Sequence, residues 1–502
     1  MAELLTYPPF FCLFESRSSP CSHNIFPLMS TFDHDNFEDD FEGDSSPRRD
    51  RNEEIERYKE LLRRGGNGLK SIEALEEIIS YYFEKEKYDD ALTFASQLVE
   101  FAPYSSEALM RKGMILNNLF RYAEALECYN HAITLNPNDS DLYINRGITL
   151  DNSNRNDEAL LDFEKALILN PGDTEALLNK AVILEKLERF DEALEILKFL
   201  VKEEPNNPDV WFELAFCYDL MDMIEDSLLC YNKHIDLDPY NFNAWYNKGI
   251  VLNRLCEHDR SIDSYDMAIA IKENFPAAYY NKGNVFAMQG KLNEAVECYK
   301  QTLRFEPKDV PALHNLGNAY EEIENYTEAI KCFTLAIRYD TTHYESYFGR
   351  GSCYDAMEQY RKALTDYNRA VEICRDYPEL WYAKADAEFN LGKMKECILS
   401  YKMVVQLDPN NFEAWYDYGD TLYAMGYAKE GLKALTRSIE LNSKFAESLY
   451  SKAKVLFVLE KYVEAVESLK AAFELNPGLR LKLDTDFKGI KSIKEFSSIL
   501  QQ

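Results

Sequence analysis

The chain has 502 residues, with 56 Lys and Arg against 87 Asp and Glu, a formal charge of −31. That balance weighs against a nucleic-acid binder, which needs a basic footprint for phosphate, and against docking on anionic lipid; it favours neutral or basic partners. The length exceeds a single core, so several domains or an extended array are required, and no apolar run is long enough to span a membrane.

The first stretch, MAELLTYPPFFCLFESRSSPCS, lacks a basic leader, carries Glu3 and is broken by Pro8 and Pro9, so it reads as a poor secretory signal. Met29 opens a more ordinary start, MSTFDHDNFEDDFEGD, and translation from there would leave residues 1–28 outside the protein. The acidic, then Ser/Pro/Arg-rich composition up to residue 51 reads as a disordered tail. Asn52–Arg64 has Glu53 and Glu54 at its start and Arg63 and Arg64 at its end, both favourable to a helix dipole. The glycines that follow stop it. The segment 52–71 is therefore expected to cap what comes next.

From Ile72 the sequence repeats. Gly113, Gly147, Gly249, Gly283, Gly317, Gly351 and Gly419 are separated by 34 residues or multiples of 34, with Ala181, Ala215, Ala385 and Ala453 in the slots between and after them. Twelve residues beyond each slot lies another small residue, from Ala125 and Ala159 through Ser227 and Ser261 to Gly431 and Ala465. Prolines such as Pro103, Pro137, Pro205 and Pro409 close the units. Twelve 34-residue repeats fit from Ile72 to Leu479 without a gap, and positions 1–34 are numbered within each.

A period this long indicates a solenoid. Each repeat divides into a helix over positions 1–14, a polar turn such as Gln289-Gly290-Lys291, and a second helix over 18–31. Apolar residues at positions 4, 7 or 8, and 11 share one face at 100° per residue. Small residues at 8 and 20 let the two helices approach, which offsets the cost of about 1 kcal/mol for a glycine such as Gly283 inside a helix. Proline at position 32 ends the second helix, and Pro276 and Pro378 do related work at the first position of the next one. Thr341 and Ser443 have no such help, so looser turns are expected there. At the far end, Phe487, Ile490, Ile493 and Phe496 are spaced for one helix, and 480–502 is expected to be the second cap.

The repeats resemble the tetratricopeptide repeat (TPR) family. The resemblance covers Ile72–Leu479 and is carried by lines such as AWYNKGIVLNRLCEHDRSIDSYDMAIAI from Ala244, by the endings LNPND, LNPGD and LDPNN, and by an aromatic residue at position 24 (Tyr129, Phe163, Tyr231, Tyr265, Tyr299, Phe333, Tyr367 and Tyr401). It implies an all-α fold: a right-handed α-solenoid superhelix whose first helices line a concave groove.

Positions 2, 5, 6, 9, 12 and 13 of the first helix point away from the expected core and would line that groove. Position 6 holds Asn145, Asn179, Asn247, Asn281 and Asn315; position 9 holds Asn284 and Asn318. A carboxamide both donates and accepts, so it pairs with a peptide backbone whatever its side chains. The resemblance implies that role; the alternative is bonding between neighbouring helices. Position 5 is aromatic from the fifth repeat onward, His314 included. Tyr246, Asn247, Tyr280, Asn281, Asn284, His314, Asn315, Asn318, Phe348 and Tyr382 are the candidate partner-binding residues. Across the six positions there are 22 Asp or Glu against 4 Lys or Arg, and repeats 6 and 7 hold no acid. A neutral middle with acidic ends suits a neutral or basic protein segment, held less tightly in salt.

No catalytic motif accompanies this surface. The seven histidines are scattered, and HExxH, GxSxG and phosphate-loop patterns are missing. The 11 cysteines form no CxxC pair, so free thiols in a reducing cytoplasm are expected, with no metal and no cofactor. Within the family, chaperone-binding modules clamp a carboxylate with Lys at positions 5 and 2; no repeat here has either. The expectation is a non-catalytic scaffold that binds a protein or peptide, with a self-assembling structural subunit as the alternative.

Overall fold

A computed structural model describes residues 55–56, 59–60, 69–487, 490 and 493–496. The acidic tail 1–51 and most of the expected 52–71 cap lie outside the described residues. Of that cap, Ile55 is buried, and the Lys59 ammonium pairs with Glu56 at 2.7 Å and lies 5.2 Å over the Tyr82 ring.

Twelve consecutive helix pairs run from Leu69–Glu84 and Tyr88–Phe101 to Ala446–Val458 and Tyr462–Leu475, and no strand occurs among the described residues. The chain divides into two compact halves, residues 1–239 and 240–502. The first holds repeats 1–5 and the second repeats 6–12.

The sequence dictates where each helix begins and ends. Many first helices are N-capped by the side chain of a Ser, Asp or Asn: Ser105 accepts from the Ala108 amide, Asp173 from Ala176 and Asn411 from Ala414. They end in a paired bond pattern, for example Arg121 N–H to Leu116 O and Phe120 N–H to Asn117 O, both 2.9 Å. The residue making the turn has a left-handed backbone. It is glycine at Gly290, Gly392 and Gly426 but Phe120, Cys256 or Glu324 elsewhere, with φ near 60°. A side chain there costs about 1–2 kcal/mol. The two turns expected to be loose are held by other means: Asp340 and Asn442 accept from the Thr342 and Lys444 amides at 2.8 and 3.1 Å.

The small-residue register has a direct cause. A Cβ on Gly283 would lie 2.8 Å from the Tyr299 ring, and one on Gly249 2.6 Å from Tyr265. The aromatic at position 24 thus lies on the bare backbone at position 8. At position 20, Ser227 and Ser261 donate to the carbonyls of Ala215 and Gly249 at 2.8 and 2.7 Å. A hydroxyl reaches that carbonyl only because both sites are small.

The expected core stripe is buried at position 8 throughout and at position 11 in most repeats, but the buried surface is wider than that stripe. Positions 3 and 10 are buried: Ala244, Ala278 and Ala312 at 3, and Val251, Val285 and Cys353 at 10. Trp211, Trp381 and Trp415 at position 4 are only half-buried, and each indole donates to a carbonyl six residues earlier. Within each half, a first helix packs against its own second helix and against the second helix of the preceding repeat, so two of its sides are buried rather than one. Four cysteines share position 23: Cys230, Cys298 and Cys332 are buried and Cys128 is half-buried, and burial pushes the first three thiols up to about 12, 11 and 11.

The chain end is also corrected. Instead of one helix, the described residues form a 3-10 segment Pro477–Lys482, one α-turn Leu483–Asp486 and a 3-10 turn Lys494–Phe496. The Ile490, Ile493 and Phe496 amides each bond the carbonyl three residues back. The apolar residues are spaced by three, and that is the period of a 3-10 turn, not of an α-helix. Phe487, Ile490 and Phe496 are nonetheless buried in one cluster with Tyr450, Leu456 and Leu469 of repeat 12.

Candidate functional site

Each candidate residue sits on the first helix of its repeat, among Phe242–Arg254, Pro276–Met288, Val310–Glu322, Tyr344–Ala356 and Pro378–Asn390. All ten are half-buried. They form a row over repeats 6 to 10, not one cluster.

Hydrogen bonds stitch the row from repeat to repeat. Asn281 Nδ2 donates to Tyr246 Oη at 2.9 Å, and Asn315 Nδ2 to Tyr280 Oη at 3.0 Å and to Asn284 Oδ1 at 2.9 Å. Tyr299 Oη donates to the same Asn284 oxygen at 2.8 Å. Bonding between neighbouring helices is therefore part of what these asparagines do, and the donors of Asn281 and Asn315 are engaged. The carbonyl of Asn281 is not. Asn247 makes no side-chain hydrogen bond with any described residue, so both its donor and its acceptor face outward from the protein's own network.

His314 extends the row. Its Nε2 lies 3.0 Å from Asn318 Nδ2, which can only donate. Nε2 is thus the acceptor and Nδ1 bears the proton, directed at Ser346 Oγ 3.4 Å away. Burial, helped by nearby His343, pushes the His314 imidazole down to about 3, so it stays neutral. Phe348 packs 5.9 Å from the Tyr367 ring.

Three repeats on from Tyr280 and Asn284 the same slots change chemistry. Position 9 is Asp386 and Asp420, and position 6 is Asp417. Tyr382 Oη donates to Asp417 where Tyr280 meets Asn315, and Tyr401 Oη donates to Asp386 where Tyr299 meets Asn284. Asp420 accepts from Ser451 at 2.8 Å and from Lys454 at 3.4 Å. These acids were counted in the sequence but not placed among the site residues. Their register with the asparagines was the signal.

Burial first, then the neighbouring Asp386, Asp420 and Glu413, push the Asp417 carboxyl up to about 7 against the opposing effect of Tyr382. A folded-state value above the unfolded one means the native chain holds the extra proton. Stability from this group is complete below about pH 4 and is lost as pH rises through about 7. Asp417→Asn should therefore melt at least about 2 °C higher than the native chain at pH 8, and the gap should close towards pH 4. Thermal melts across that range test the assignment; a constant gap would refute it.

No group of His, Cys, Asp and Glu among the described residues could hold a metal ion. No helix among them is long and apolar enough to cross a membrane.

Sequence profiles described as "Tetratricopeptide repeat" match residues 106–139, 128–160, 152–211, 186–239, 309–376 and 412–445. One described as "TPR repeat" matches 283–323 and 385–426. Together they span more than half of the sequence, and with the uninterrupted helix pairs they show that the chain belongs to the tetratricopeptide repeat family.

No curated protein matches the chain. Among solved structures it is similar to MamA, at 27% identity over 32% of this chain and 94% of that one, with a TM-score of 0.32. It is similar to YrrB, described as a TPR protein with an unusual peptide-binding site, at 24% identity over 38% and 98% with a TM-score of 0.35. It is also similar to a chain of the APC/C hetero-tetramer Cut9–Hcn1, at 14% identity over 84% and 90% with a TM-score of 0.38.

Proposed function

We propose that this chain is a non-catalytic adaptor in the cytoplasm that holds an extended or helical segment of a partner protein on its first-helix face, with repeats 6 to 10 as the neutral centre. The observation that carries the reading is Asn247. It is a half-buried carboxamide with no side-chain hydrogen bond to any described residue, set between aromatic residues in a row whose other asparagines are fixed by bonds to their neighbours. Fixed side chains lose little entropy on binding. An open carboxamide pairs with a peptide unit of any sequence.

The test is capture from an extract of the source cells by the immobilised chain. Asn247→Ala breaks no internal bond, so it should leave the melting temperature unchanged while reducing recovery of one specific protein at least tenfold. Recovery should also fall in higher salt. Unaltered capture by Asn247→Ala, and by a combined Asn281→Ala, Asn284→Ala and Asn315→Ala variant, would remove the basis for the site. A monomer by light scattering favours the adaptor over a self-assembling subunit.

A further inference from the structure

In the second half each acid at positions 6 and 9 has a donor. Asp386 and Asp417 have tyrosines, and Asp420 has Ser451 and Lys454. Two acids in the first half do not follow this pattern. Glu185, at position 12 in the helix Thr174–Lys186, is 5% exposed, and its Oε1 is sealed from solvent with no hydrogen-bond partner. Glu213, at position 6 in the next first helix Pro208–Leu220, is half-buried and makes no hydrogen bond or ion pair with any described residue.

The base beside them is already engaged: Lys186 Nζ contacts both oxygens of Asp151, on the helix Ser140–Asn152, at 2.6 and 2.8 Å. The Cys217 thiol beside Glu185 is directed at the Phe190 carbonyl, 3.8 Å away. An unmet buried acceptor is destabilising, and more so when charged.

We infer that Glu185 and Glu213 form a receptor for the guanidinium or ammonium group of a basic side chain on the partner. Glu213 is the open edge of this receptor and Glu185 its sealed floor. The inference rests on the adaptor reading and adds a charged subsite on repeats 4 and 5 to it.

The charges around the pair fit a cation. Facing it are Asp209 and the Cys217 thiol from the helix of Glu213, Lys186 from the helix of Glu185, and Asp151 from the preceding first helix; Lys198, on Phe190–Glu203, faces Cys217. Burial, then Asp209, push the Glu213 carboxyl up to about 7 against the pull of Lys186. Burial, then Glu213, raise Glu185 well above the usual carboxylate range. Alone the pair retains a proton; an arriving cation replaces it, and the proton leaves to solvent.

The experiment is calorimetric titration of N-acetyl-arginine amide into the full chain at pH 7, in two buffers of different ionisation enthalpy, with N-acetyl-citrulline amide as the uncharged control. The expected result is binding of the arginine compound with proton release, and at least tenfold weaker binding of the citrulline compound. Glu213→Gln should lose at least tenfold in affinity while melting no lower than the native chain; Glu467→Gln, an exposed acid on the second helix Tyr462–Leu475, should stay within twofold. Three outcomes would overturn the proposal: no binding of the arginine compound, equal affinity in Glu213→Gln, or an equal loss in Glu467→Gln, which would mean general attraction to an acidic protein. If the titration fails while Asn247→Ala still loses its captured protein, only the subsite falls.

Discussion

Replacing Phe333 by Ala should destabilise the second half by about 3–5 kcal/mol. Phe333 is fully buried, and its ring lies between two bare backbones. A Cβ on Gly317 of its own repeat would come within 2.6 Å of the ring, and so would a Cβ on Gly349 of the next. Neither glycine has a side chain that could move into the space left behind, so the cavity persists, and the cost scales with its volume. The converse change, Gly317→Ala, gains about 1 kcal/mol of helix propensity but loses about 1–3 kcal/mol to overpacking. It should therefore also destabilise, by less. Because stability in a repeat array is shared between neighbours, amide exchange should accelerate first in Val310–Glu322 and Tyr344–Ala356, the helices that carry the two glycines. A loss below about 1 kcal/mol for Phe333→Ala would mean that the ring does not join the two repeats.

Both members of that pairing keep the 34-residue register, but the sequence reading set the glycine against the small residue at position 20, and the structure sets it against the ring. Gly283 alone looks like a defect; set against Tyr299 it is a fit. The burial of positions 3 and 10 was not legible from periodicity. A single amphipathic stripe assumes one neighbour, and Ala278 reads as neutral until a second neighbour closes on it. The partners of the asparagines were hidden for a different reason. Asn281 has the chemistry to hold a peptide or a tyrosine, and which one it meets depends on a hydroxyl 35 residues earlier, at Tyr246. Asp417 and Glu213 show the same limit. Both are acids at position 6, yet one is met by a tyrosine and the other by no hydrogen-bond donor among the described residues. Spacing places a residue on a face; only packing decides whether its polar atoms are already taken.

At the end of the array the corresponding residue is Phe487, and Phe487→Ala should cost about 3–5 kcal/mol, confined mainly to repeat 12. Its ring is fully buried, with centroids 5.2 Å from Phe457, 5.8 Å from Tyr450 and 6.4 Å from Phe496. Three aromatic contacts with that geometry add to the area term. Among the described residues no further first helix covers repeat 12, and this aromatic cluster supplies what each inner repeat receives from its neighbour. Deleting residues 481–502 should lower the melting temperature at least as far, since it also removes the bond from Tyr450 Oη to Asp486 at 3.1 Å. The two variants separate capping from simple solubilisation. A tail that only kept the end soluble would leave amide exchange in Ala446–Val458 unchanged on Phe487→Ala. A cap makes that helix and Tyr462–Leu475 exchange faster while repeats 6 to 9 stay protected. An unchanged melt for the deletion would show that repeat 12 closes the array by itself and that the buried aromatic cluster contributes little beyond it.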